Sequence, residues 1–160
     1  MSDSGSILVA IDPGPTRSAW CTYDFEARRI RSHGTVTNER LLDKLRGAPP
    51  SIPLAVIEKV EGYGMPVGVE VFETVRWAGR FEEALDGHFI RVVRVGRKAI
   101  KINLCGSVRA KDANVRQALI DRFGGASAIG RKANPGPLYG ITGDAWAALA
   151  VAVAYSEGAR

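Results

Sequence analysis

The apolar positions fall into short continuous runs early in the chain and into three-to-four-residue spacing later. Residues 7–12 read as an apolar strand that closes on a carboxylate and breaks at Pro13-Gly14-Pro15. Residues 18–25 and 30–36 are two more strand-like runs with a turn at 26–29, which predicts an antiparallel meander. Asn38 is placed to cap a helix carrying Leu41, Leu42 and Leu45, and "GAPPSIP" breaks the chain after it. "LAVIE" at 54–58 is another buried strand that ends on an acid, followed by the Gly-rich turn "EGYGMPVG". Over 67–85, the positions Val71, Val75, Ala78, Phe81 and Leu85 mark one face of a long helix. A fifth strand is expected at 89–95, then a short helix at 97–104, a turn at "CGSVRAKD" and a helix at 113–123. A loop rich in Gly and Pro runs to Gly143, and the last helix covers 144–156. A meander followed by strands alternating with helices makes an α/β fold, a mixed five-stranded sheet with helices on its faces.

With 160 residues, no repeats and no interdomain linker, residues 1–160 are expected to form one domain. Hydrophobic residues at 46% and charged residues at 24% exclude a disordered chain. The longest apolar run, at 145–155, is too short to span a bilayer, and no signal-peptide pattern opens the sequence. Cys21 and Cys105 lack metal-like spacing, so a reduced, cytoplasmic protein without disulfides or membrane partner is expected.

Charge changes the picture. The net charge is +5, yet the segment from Arg91 to Arg116 alone carries +7, leaving −2 for the rest. Its basic residues are Arg91, Arg94, Arg97, Lys98, Lys101, Arg109, Lys111 and Arg116, against the single acid Asp112. Localised positive charge is the footprint of a polyanion; a solvated face kept for solubility is the plainer alternative.

Candidate chemistry rests on three acids. Asp12 and Glu58 each end a strand, and strand ends in one sheet lie about 5 Å apart, or twice that with a strand between. Asp144 falls in the first turn of the last helix, whose small residues Ala147 and Ala148 allow close docking on a sheet. Two carboxylates 4 Å apart repel by about 4 kcal/mol at an effective dielectric of 20. A cluster of three must take up protons or bind cations, and all-oxygen ligands suit Mg²⁺ or Mn²⁺. Each acid also has an ordinary reading. Asp12 before Pro-Gly could start a turn by bonding local amides, and Asp144 could serve only as a helix N-terminal acid.

The pieces "ILVAIDPGPTRSAW", "LAVIEKV", "VFETVRWAGRFEEAL", "VRAKDANVRQAL" and "GDAWAALAVAVAY" resemble, in order and over nearly the whole chain, the RuvC-type Holliday junction resolvases of the ribonuclease H-like nucleases. The resemblance implies a ribonuclease H-like fold and a homodimer whose two active sites, each with two Mg²⁺ ions (Mn²⁺ substituting), make paired nicks across a four-way DNA junction. A branch-migration motor is a further partner that it implies. Asp12, Glu58 and Asp144 match the acidic metal ligands. Lys111 resembles the basic residue near the scissile phosphate, and is otherwise a solvated lysine before a helix. Arg97, Lys98, Lys101, Arg109, Lys111 and Arg116 are the expected DNA-contacting cations.

Two departures stand out. The family's last helix usually carries two metal-binding side chains three residues apart, but Ala147 follows Asp144 at that distance and Ile141 precedes it. Asp112 is near Lys111 in sequence, with no physical argument that brings it to the site. The family often places an aromatic wedge three residues past the strand glutamate. Here Glu61 stands there, with Tyr63 nearby to stack on an opened base or to pack on a dimer mate. The alternatives in nucleic-acid chemistry are a related nuclease acting on RNA or other branched DNA, and a non-catalytic junction-binding module. "DPGPT" also fits the phosphate loop of sugar- or acetate-kinase-like ATPases, which need two lobes to enclose ATP.

Overall fold

The computed structural model describes residues 4–48 and 52–160. Five strands form one sheet: β1 (Ile7–Asp12), β2 (Arg17–Asp24), β3 (Arg29–Thr37), β4 (Leu54–Lys59) and β5 (Arg91–Gly96). Their order is β3-β2-β1-β4-β5, with β1–β2 and β2–β3 antiparallel and β1–β4 and β4–β5 parallel. The helices are α1 (Asn38–Arg46), α2 (Val69–Asp86), α3 (Arg97–Cys105), α4 (Asp112–Arg122) and α5 (Ala145–Ser156).

Strand periodicity explains the two layers. Val9, Ile11, Ala55 and Ile57 point to one face, where Leu41, Leu42 and Leu45 of α1 and Trp77, Phe81 and Leu85 of α2 cover them. Leu8, Ala10, Val56 and Val95 point to the other, beneath α3, α4 and α5. Because both faces are covered, β1 and β4 read as unbroken apolar runs. From Ala148 to Ala154 every residue of α5 is buried, since that helix lies between the sheet and the outer pair α3 and α4.

The expected mixed sheet with helices on both faces is what the structure has. Four local differences have physical causes. Thr37, not Asn38, caps α1, its hydroxyl accepting from the Arg40 N–H at 3.5 Å. Asn38 is instead fully buried and bonded to the first turn. Phe89 is not in the fifth strand: it sits in a turn with φ of 59° and is 98% exposed. Val75, expected on the buried face of α2, is 48% exposed, because only the C-terminal half of that helix reaches the core. Asp144 stands at the N-cap of α5 rather than within its first turn. Residues 49–51 of "GAPPSIP" lie outside the described residues.

Candidate active site

Parallel pairing of β1 with β4 sets Ile11 beside Ile57, so Asp12 and Glu58 emerge side by side at the same edge of the sheet. By alternation both leave on the face of Ala10 and Val56, under α3 and α5. The turn after Asp12 is held without its carboxylate. The Gly14 N–H donates to Ser18 Oγ (3.0 Å), Ser18 Oγ donates to Asn38 Oδ1 (2.6 Å), and Asn38 Nδ2 donates to the Gly14 carbonyl (2.9 Å). Glycine is required at position 14, since a Cβ there would lie 2.2 Å from the Arg17 carbonyl oxygen. Among the described residues, the turn reading of Asp12 therefore has no backbone donor behind it.

Burial, and next the charge of Glu58, push the Asp12 carboxyl from 3.8 up to about 8. A side-chain hydrogen bond with Glu58 and the more remote charge of Asp144 act the same way, while Arg97 opposes them. Arg97 opens α3 directly after β5, whose Val95 and Gly96 pair with Glu58 and Lys59. That register lets its Nε donate to Glu58 Oε1 at 2.9 Å. The charge of Glu58 is the main cause holding the guanidinium's pKa above its usual value, with Asp12 and Asp112 adding to it.

These groups line one cavity of about 150 Å³, walled by the acids Asp12, Glu58, Asp112 and Asp144 and the bases Arg97, Lys101 and Arg116. Asp144 makes no side-chain bond to the helix it precedes. The four acids share the cavity, but among the described residues no three His, Cys, Asp or Glu side chains are close enough to hold one metal ion. Arg97 occupies the position beside Glu58 in this arrangement. The Asp12–Glu58 pair nonetheless fits a hard divalent cation: it is an all-oxygen set, short of positive charge, that has already drawn in a guanidinium.

The other expected residues divide. Tyr63 lines an adjoining groove of about 310 Å³ with Asp12, Glu58 and Arg97, and Lys98 sits 4.4 Å over its ring. Lys111 is the exposed N-cap of α4, its N–H bonded to Asn114 Oδ1, and Arg109 is exposed in the preceding turn. Neither lines the acid cavity. Asp112 does line it; its place beside Lys111 in the sequence offers no argument for this, because the contact depends on how α4 packs against the sheet edge.

No protein-family model and no curated protein matches the chain. Solved structures do. A structure of Thermus thermophilus RuvC aligns with a TM-score of 0.67 at 15% identity, covering 94% of this chain and 93% of that one. T. thermophilus RuvC in complex with Holliday junction substrate aligns with a TM-score of 0.68 at 20% identity, over 97% and 95%. At such identities the likeness is one of fold, and the chain has the ribonuclease H-like architecture that its sequence resemblance implied.

Proposed function

We propose that the chain is a metal-dependent endonuclease that resolves four-way DNA junctions by paired phosphodiester hydrolysis. One observation carries the reading: a half-buried Asp12–Glu58 pair at adjacent strand ends, where burial and the charge of Glu58 raise the Asp12 pKa, inside a cavity rimmed by Arg97, Lys101 and Arg116. The likeness of fold to a RuvC bound to a Holliday junction supports the choice of substrate.

Asp12 and Glu58 would hold Mg²⁺ or Mn²⁺, with Asp144 and Asp112 on the same cavity wall. A pair of such ions, when bound, supplies an activated water and stabilises the leaving oxygen. The chain's own part is to aim acids and bases at one phosphate. Lys101 and Arg116 draw the backbone into the cavity, and Arg97 must leave Glu58 for that carboxylate to turn to a new cation. Its side chain is 54% exposed and free to swing toward a phosphate oxygen. Paired nicks require two sites. We assign the second to another copy of this chain, packed on the apolar strip of Met65, Val69 and Phe72, which are 76%, 78% and 64% exposed.

The test is nicking of synthetic four-way junctions with Mg²⁺ or Mn²⁺, alongside linear duplex, flap, RNA hairpin and RNA–DNA hybrid. Junction-selective cleavage by the wild-type chain is the expected result, lost in Glu58→Gln while junction binding persists. Equal cutting of linear duplex removes the structure selectivity. The Arg97–Glu58 ion pair and the spacing of the acids favour one rival, a non-catalytic junction-binding module. Tight junction binding with no cleavage at any pH or metal concentration decides for it.

A further inference from the structure

Beside the acid cavity runs a second, larger groove of about 760 Å³ between α4 and the start of α5. Four residues line both compartments: Asp112 and Gly143, and with them Arg116 of α4 and Trp146, the second residue of α5. Arg116 and Trp146 touch each other, with the guanidinium carbon 5.0 Å from the indole ring centroid, and this stack stands between the groove and Asp12, Glu58 and Asp144, which do not line it. Among the described residues no carboxylate pairs with Arg116, which leaves its charge available. The groove's floor is apolar, built from Ile120 and Ile141, while exposed Thr142 supplies a hydrogen-bonding group at its edge. Ile141 is also the position three residues before Asp144, where the sequence resemblance leads one to expect a further acidic ligand. In this chain that wall is greasy rather than charged.

A flat aromatic, an unneutralised guanidinium and an aliphatic floor are the elements of a nucleobase seat. Their placement sets which base. A strand whose phosphate lies in the acid cavity has a neighbouring nucleoside on the far side of the Arg116–Trp146 partition. We propose that this groove receives an unstacked base next to the cleaved phosphate, held against Trp146 with Arg116 on its backbone. The inference rests on the nuclease reading and deepens it. It gives the site a means to select opened DNA, because a base paired within a duplex stays in its stack and cannot enter.

The experiment places 2-aminopurine at the nucleotides flanking the nicked phosphate, and uses the Asp12→Asn chain so that binding is read without cleavage. Binding is expected to quench the probe on one side of the phosphate. Adding Trp146→Ala should abolish that quench at saturating protein, and Trp146→Phe should retain it. In the cleaving chain, Trp146→Ala should raise KM about tenfold, as loss of one stacked base does, with kcat within about twofold. Melting curves of both variants confirm folding, and the phenylalanine variant keeps the test valid if alanine unfolds the protein. A quench or KM unchanged in Trp146→Ala overturns the base seat while leaving the nuclease intact. If the wild-type chain nicks no junction, the nuclease reading falls first. The groove is then judged on a single-stranded 2-aminopurine oligonucleotide: a Trp146-dependent quench upholds the seat, and no quench overturns it.

Discussion

Asp12 and Asp24 lie at the ends of neighbouring strands, and their surroundings differ completely. Asp24 is 5% exposed and fully provided for. The Ala27 N–H donates to its Oδ1 at 2.9 Å, Ser6 Oγ to the same oxygen at 3.1 Å, and the Arg31 guanidinium to Oδ2 at 2.8 Å. The Ala27 bond, then those of Arg31 and Ser6, outweigh burial and hold its carboxyl below the usual range. Asp12 faces another acid, and burial with Glu58 drives it up to about 8. One acid is completed by the fold. The other is left with a deficit of positive charge that the fold does not fill, a distinction burial alone would hide.

The largest expected effect separates the two at a stroke. Asp12→Asn should lower junction nicking at least about a thousandfold, as for removal of a group that acts directly on the reacting phosphate. The same change should raise stability at pH 7 by about 2–4 kcal/mol, since it relieves a carboxyl held far above its unfolded value. Asp24→Asn should do the reverse, lowering the melting temperature and leaving kcat within about twofold of wild type. Single-turnover nicking and thermal melts on both variants measure this. If Asp24→Asn also abolishes nicking with an intact melt, the contrast fails.

Next in size is the response to pH and metal. Asp12 binds its proton more tightly in the folded chain, so its contribution to stability is complete below about pH 4 and fades as pH climbs through about 8. Asp24 works oppositely: its contribution is present above its ordinary value of 3.8 and is lost as pH falls through its depressed folded value. Metal must displace the Asp12 proton, so apparent Mg²⁺ affinity should tighten by up to about tenfold per pH unit below pH 8 and then level off. Calorimetric titration of Mg²⁺ or Mn²⁺ at several pH values reads this directly. A metal affinity that is flat from pH 6 to 8 in the wild-type chain would remove Asp12 from the ligand set.

This contrast was only half legible in the amino-acid sequence. Asp12 and Glu58 stand out because each closes an apolar run, and parallel register then carries both to one edge. The donors that satisfy Asp24 come from Ser6, Ala27 and Arg31, brought together by a strand pairing and a turn rather than by spacing. Nothing in the residue order says which acid will be satisfied. Asn38 illustrates the same limit, since its position reads as a cap while its carboxamide is used to pin the Pro-Gly-Pro turn. Asp112 and Trp146 reach the site through packing of α4 and α5, which the residue order does not specify: nothing in the sequence brings Asp112 to the acids or singles out Trp146. Local pattern determines the strands and helices here, while the partners of polar side chains depend on tertiary contacts.

The smallest effect isolates what Arg97 does for Asp12 without touching either acid. Its charge lowers the Asp12 value while burial and Glu58 raise it, so Arg97→Ala should move the rise of metal affinity with pH to higher pH. Arg97→Lys, which keeps the charge but not the planar bond to Glu58, should move it less. At pH well above 8 the order should invert. There Asp12 is ionised in every variant, and the alanine chain, with no guanidinium on Glu58, should bind Mn²⁺ in the absence of DNA more tightly than wild type. Such a crossover, read by Mn²⁺ resonance titration at pH 6.5 and 9, distinguishes a cation that competes for the site from one that merely stabilises it. Parallel curves for alanine and wild type at both pH values would mean that the ion pair is surface decoration. The Asp12 value would then be set by burial and Glu58 without Arg97.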